Sequence, residues 1–137
     1  MADFDGDGRA DISVFRPSTG QWWLNRSTAG IAVPTFGAAG DVLVPSDFTG
    51  DGKTDVAVWR PSTGAWYVLK SSDGGFIATG WGQTGDIPVP GDYEGDNHYD
   101  IAVYRGGVWY IDASTIGPYA EQFGLSSDIP IPKMYIP

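Results

Sequence analysis

The chain contains no cysteine. No disulfide can brace it, and thiol chemistry of any kind is excluded. It has one histidine, His98, which lies in an acidic stretch where its backbone rather than its ring is wanted, and no serine has a His-Asp partner set of the hydrolase kind. Basic residues are scarce, 8 Lys and Arg against 17 Asp and Glu, and the formal net charge is −9. That balance argues against nucleic acid or an anionic membrane as partner. No apolar run approaches the roughly 20 residues of a membrane span, and no membrane insertion is expected. No signal-peptide pattern is present, since Met1-Ala2 leads straight into an acidic stretch. What the chain does have is 20 Gly, 10 Pro and 14% aromatic residues over 137 positions. That profile suits many short strands joined by turns, in a domain large enough for a real core.

The acids are concentrated. Asp3-Phe-Asp-Gly-Asp-Gly-Arg-Ala-Asp11 recurs as Asp47-Phe-Thr-Gly-Asp-Gly-Lys-Thr-Asp55 and as Asp92-Tyr-Glu-Gly-Asp-Asn-His-Tyr-Asp100, and these three stretches hold eleven of the seventeen acids. Carboxylates at alternate positions of a tight turn repel one another unless something positive lies between them. A hard cation with flexible oxygen coordination meets that need, and calcium is the best match, with up to three ions per chain. Three such ions would bring the formal charge from −9 to about −3. Glycine at the fourth and sixth loop positions lets the backbone curl inward. Asn97 takes the sixth position of the third copy, and Asn tolerates a left-handed conformation. Acidic surface turns without metal are the plainer alternative; three copies in register favour the metal.

The loops are spaced 44 and 45 residues apart, a period belonging to propellers and solenoids. Each loop is followed by an apolar run ending in arginine (Ile12 to Arg16, Val56 to Arg60, Ile101 to Arg105), then a turn, then an aromatic run beginning near Trp22, Trp66 or Trp109. A fourth run ends in Phe36-Gly37, Trp81-Gly82 or Phe123-Gly124, and Asp41, Asp86 or Asp128 comes four residues after each glycine. Proline-rich segments such as Ile87-Pro-Val-Pro90 open the next repeat and read as edge strands. The expected fold is therefore all-β: three four-stranded antiparallel repeats, each a β-propeller blade, over residues 3–46, 47–91 and 92–137 of one repeat domain. Residues 128–135 match 86–93, so the C-terminal strand is expected to complete the first blade in a permuted arrangement, with Met134 where a fourth loop would start. Propellers typically have four to eight blades. Two chains joined head to tail would give six; a fragment of a larger propeller is the other reading. The homo-oligomer is favoured, because a half ring exposes blade faces and an unpaired edge.

With these loops, the aromatic-Gly pairs and the Arg-Pro-Ser-Thr-Gly hairpins at 16–20 and 60–64, the chain resembles the FG-GAP or VCBS repeat family of calcium-bearing propeller blades. It departs from that family in lacking a Gly-Ala-Pro element. The resemblance implies a ligand set of Asp3, Asp5, Asp7 and Asp11 with the Arg9 carbonyl. It implies Asp47, Thr49, Asp51 and Asp55 with the Lys53 carbonyl in the second loop, and Asp92, Glu94, Asp96 and Asp100 with the His98 carbonyl in the third. Thr49 offers an oxygen without charge, so the second site should be weaker. The loop has nine residues closed by Asp, unlike the twelve-residue EF-hand closed by Glu.

An enzyme is the least supported class. The repeat assigns most carboxylate pairs to metal, and Asp41, Asp86 and Asp128 read as turn or cap residues. The expected function is a calcium-binding, secreted or cell-surface module that recognises glycan or protein ligands. Trp22, Trp66 and Trp109, with Tyr67 and Tyr110, are candidate stacking platforms for sugar; the alternative is that they pack blade against blade. Arg16, Arg60 and Arg105 could form an anion site, although pairing with nearby Asp suits them better. A structural spacer, or the non-catalytic accessory domain of a secreted hydrolase, is the competing reading.

Overall fold

The computed structural model describes residues 2–131. Eleven strands form three sheets, and every pairing between strands is antiparallel. The first sheet contains β1 (Ile12–Arg16), β2 (Gln21–Arg26) and β3 (Gly30–Ala32) in that order. The second contains β4 (Val42–Leu43), β5 (Val56–Arg60), β6 (Ala65–Leu69) and β7 (Phe76–Gly80). The third contains β8 (Ile87–Pro88), β9 (Ile101–Arg105), β10 (Val108–Ala113) and β11 (Gly117–Gln122), again in chain order across the sheet. The proline-flanked strands β4 and β8 are short and lie at sheet edges, where a missing N–H costs no ladder bond.

Two features of the expected propeller differ from the structure. The first sheet has three strands among the described residues, and the sheets do not close into a ring. The segment expected to complete the first sheet, residues 128–135, is described as far as residue 131, and its remainder lies outside the described residues. Ile129 and Ile131 are described, belong to no strand and are exposed.

The core sits between sheets. Phe4, Trp22 and Leu24 of the first unit face Val56 and Val58 of β5, while Ala57 and Trp59 on the opposite side of β5 face Val103 of β9. This explains why the arginine-ended runs are apolar on both faces: the first four residues of β5 are all buried. β1 has the same kind of sequence but lies at the end of the stack, and Ile12 and Val14 are 74% and 60% exposed.

The aromatic-Gly pairs do two jobs at these joints. The indole N–H groups of Trp22, Trp66 and Trp109 donate to the carbonyls of Phe36, Trp81 and Phe123 at 2.9, 2.9 and 3.0 Å. The glycine that follows leaves room for the neighbouring sheet: a Cβ on Gly37 would lie 3.1 Å from Val58 Cγ1, and one on Gly82 would lie 2.9 Å from Val103 Cγ1. The hairpin arginines are gripped through two nitrogens. Arg60 meets Asp41 at 2.8 and 3.0 Å, and Arg105 meets Asp86 at 2.6 and 2.7 Å. Each guanidinium also lies over a tyrosine ring, Tyr67 or Tyr110, at 4.7 Å. Asp41 and Asp86 are thus turn and anchor residues, as the repeat pattern suggested.

Gly64 combines a φ of +70° with a virtual Cβ that would collide with the Gly82 carbonyl, whereas Gly80 in β7 has open space. Gly64→Ala is therefore expected to destabilise by more than the roughly 1–2 kcal/mol of left-handed strain alone. Gly80→Ala should be neutral within about 0.5 kcal/mol. Urea midpoints of the two variants check this, and equal midpoints would contradict it.

Candidate metal centre

Each acidic loop folds around its first aspartate. Asp3 accepts backbone N–H bonds from Gly6, Asp7 and Gly8 at 2.6, 3.2 and 2.9 Å. Asp47 does the same with Gly50, Asp51 and Gly52, and Asp92 with Gly95, Asp96 and Asn97. The fourth and sixth positions reach those bonds with positive φ throughout, including Asn97 at 68°.

The closing aspartates are buried and tie the loop to the hairpin turn beyond it. Asp11 accepts from Phe4 N–H at 2.7 Å and from Ser27 N–H at 2.8 Å. Asp55 spans Phe48 and Ser71, and Asp100 spans Tyr93 and Ser114, at 2.7 to 2.9 Å. These serines were not singled out from the sequence. Their signal was present: Ser27-Thr28, Ser71-Ser72 and Ser114-Thr115 recur 14 to 16 residues after the closing Asp.

The middle positions distinguish the loops. In the first, one Asp5 oxygen takes bonds from Thr28 N–H, Thr28 O–H and Ala29 N–H at 2.8, 2.8 and 3.0 Å. Its other oxygen, Oδ1, is buried and has no hydrogen-bond partner. Oxygens of Asp3, Asp5 and Asp11 all lie within 4.8 Å of one another. A calcium ion holds oxygens at 2.3–2.6 Å, so its ligands can be up to about 5 Å apart, and this cluster fits that sphere. Asp7, which is not one of those three, accepts from Arg9 N–H at 2.9 Å and from Ser27 O–H at 2.5 Å.

In the third loop both Glu94 oxygens are engaged, Oε1 by Ser114 and Thr115 and Oε2 by Ile116. Asp96 accepts from His98 N–H, Ser114 O–H and Thr115 O–H at 2.8 to 2.9 Å. In the second loop Thr49 turns toward Asp55, with its N–H 3.2 Å from Oδ2, and Asp51 takes Lys53 N–H at 3.0 Å. The side chains of Lys53 and His98 lie against the preceding loop: the Lys53 stem covers Gly6, and the His98 ring covers Gly50. Backbone bonds follow the same course, from Thr54 N–H to the Asp3 carbonyl at 2.7 Å and from Tyr99 N–H to the Asp47 carbonyl at 2.8 Å.

The repeat pattern is also recognisable against known families. The family model of the FG-GAP-like repeat matches residues 47–103, from the first aspartate of the second loop into β9. The chain carries an FG-GAP-like repeat. Comparisons with curated proteins and with solved structures gave no match.

The aromatic candidates fall in different places. Trp22 and Trp66 are 3% and 0% exposed, so their rings are occupied inside the stack. Tyr67 and Tyr110 lie half-buried beneath Arg60 and Arg105. Trp109, half-buried, lines a cavity of about 330 Å³ with Tyr93, Tyr119 and Phe123 on the outer face of the third sheet.

Two loop carboxylates, Asp5 and Asp96, are held in their ionised form. The Thr28 N–H holds Asp5 down to about 2, and the His98 N–H with the Ser114 and Thr115 hydroxyls holds Asp96 at about 2. Groups with such values are poor proton donors near neutrality and good ligands for a cation. Because the folded values lie below the ordinary 3.8, their stabilising contribution is complete above about pH 4 and is lost as pH falls toward 2. Acid unfolding of the chelator-treated protein is expected in that window. Asp5→Asn should flatten the pH dependence of its Tm, and an unchanged slope would show that Asp5 is not among the groups responsible.

Proposed function

We propose that the chain is a calcium-binding, propeller-type repeat module of a secreted or cell-surface protein, acting by binding rather than catalysis. Two observations carry the metal reading: the Oδ1 of Asp5 is buried without a partner, and Asp3, Asp5 and Asp11 each bring a carboxylate oxygen within 4.8 Å of the others. An orphaned buried carboxylate oxygen costs stability unless a cation reaches it. In the first loop Asp3, Asp5, Asp7 and Asp11 would hold the ion, with the Arg9 carbonyl. The second and third loops offer Asp47, Thr49, Asp51 and Asp55, and Asp92, Glu94, Asp96 and Asp100, with the Lys53 and His98 carbonyls. The ion would supply fixed positive charge; the chain supplies the cage and its attachment to the sheets.

Extracellular calcium modules bind at ~10⁻⁴–10⁻³ M. At millimolar calcium and a Kd of ~0.1 mM, each filled site adds about 1.5 kcal/mol. Three sites would raise Tm by on the order of 10 °C. Scanning calorimetry with calcium and then EDTA tests this, and superimposed curves would defeat it. Asp5→Asn is expected to reduce the calorimetric stoichiometry by one, and Thr49→Asp to tighten the second site.

The ligand is proposed to be a glycan or a protein surface. The burial of Trp22 and Trp66 favours a second reading, a calcium-stiffened spacer, because two of the three repeated indoles are inaccessible to sugar. A glycan array in calcium separates them: saturable binding to one sugar class supports the lectin-like module, and silence supports the spacer or a protein-binding role.

A further inference from the structure

The two joints between sheets share one set of contacts. At each, a valine at the centre of the arginine-ended strand (Val58 or Val103) is fully buried against the glycine of the preceding aromatic-Gly pair. The arginine that ends the strand is gripped by the aspartate that precedes the first strand of its own sheet, whose side chain is 1% exposed in both cases. That first strand pairs in fixed register, Val42 opposite Trp59 and Ile87 opposite Tyr104.

The ends of the stack carry the two halves of a third such joint, unjoined. At one end Val14 is 60% exposed, and Arg16 is exposed with no carboxylate partner among the described residues. At the other end Gly124 has φ +114°, and Asp128 caps the Leu125 N–H at 2.8 Å. Asp41 and Asp86 cap Ala38 and Gln83 in the same way. Yet Asp128 is exposed and, among the described residues, has no arginine; Ile129 after it is 73% exposed. The loops repeat the pattern, since Thr54 and Tyr99 donate to the carbonyls of Asp3 and Asp47. Their counterparts, the Ala10 N–H and the Asp92 carbonyl, have no such bond among the described residues. Val14 and Ile129 are exposed at once, so among the described residues the two ends of the stack are not paired with each other.

We propose that two copies of this chain associate head to tail, the segment that starts at Asp128 of one copy adding to the β1 edge of the other, with Asp128 gripping Arg16. The register of the interior joints places Ile129 opposite Phe15 and Pro130 opposite Val14, and brings Gly124 against Val14. A cation on one edge and an anion on the segment that fits it make a second copy the matching occupant. The contact joins two different surfaces, and repeated once it brings six sheets together, within the four to eight of closed propellers.

Sedimentation of the 137-residue chain, in calcium and separately in EDTA, tests the pairing without depending on the metal reading. The expected species is a dimer of twice 14.6 kDa. Arg16→Asp and Asp128→Arg are each expected to weaken association at least about tenfold, and the double variant to restore it to within about threefold. Asp128→Asn, which keeps an oxygen for the Leu125 cap, should weaken it as well; near-UV circular dichroism verifies that each variant is folded. A wild-type monomer at about 100 μM in both buffers, the result expected if further repeats of a longer protein cover this edge, overturns the proposal. So does a double variant that stays dissociated. A calcium-dependent Tm in a monomer would leave the metal reading standing while removing this one.

Discussion

Each repeat depends on a buried carboxylate that, among the described residues, has no cationic side chain to pair with. Asp55 and Asp100 are 0% and 1% exposed, and removing an ionised group from water to that depth costs several kcal/mol unless it is met by donors. The donors are backbone N–H groups, from the acidic loop (Phe48 and Thr49 for Asp55, Tyr93 for Asp100) and from the hairpin turn beyond it (Ser71 and Ser114). Charge-assisted bonds of this kind contribute about 1.5–3 kcal/mol each. The consequence is geometric as well as energetic. Two segments 23 and 21 residues apart in sequence (Phe48 and Ser71, Tyr93 and Ser114) are fixed to the same carboxylate, so the loop cannot shift against its sheet without stranding a charge. The cage that would hold a cation is thus a by-product of how the sheet secures its own turn.

The same logic accounts for what could be read from residues alone. The loops, the arginine-ended strands and the left-handed Asn97 were legible because each is a local demand: alternating carboxylates, a fixed period, one position needing positive φ. The Arg60–Asp41 and Arg105–Asp86 pairs were legible as a preference, since both partners recur in step with the strands. The roles of Ser27, Ser71 and Ser114 were not, because a backbone N–H donor can come from almost any residue type. Their hydroxyls are the only trace in the sequence, and they bond the fifth-position acid in all three repeats.

Burial was the other quantity hidden from sequence. Ile12 to Arg16 and Val56 to Arg60 have nearly the same pattern, yet one strand is exposed and the other buried on both faces. No property of the strand itself decides this. Position in the stack does, because an interior sheet has a neighbour on each side and an end sheet has one. Trp22 and Trp66 follow the same rule, as their rings fill space between sheets that a single repeat cannot enclose.

Repeat architectures bury one continuous core by stacking units that cannot bury their own faces. Here the stacking contact has three separable parts: an edge strand, a valine in the space left by a glycine, and a two-point Arg–Asp grip. The apolar parts supply most of the driving force, at about 25 cal/mol per Å² removed from water, but they are indifferent to register. The grip supplies register. A guanidinium fork meets a carboxylate in one plane and at one offset, so a strand slipped by one residue would leave Asp41 or Asp86 buried and unpaired. That is why the ionic part sits at the strand's end, beside the joint, and why its two members are the residue leading into the edge strand and the arginine ending the strand it pairs with, which only the correct register brings together.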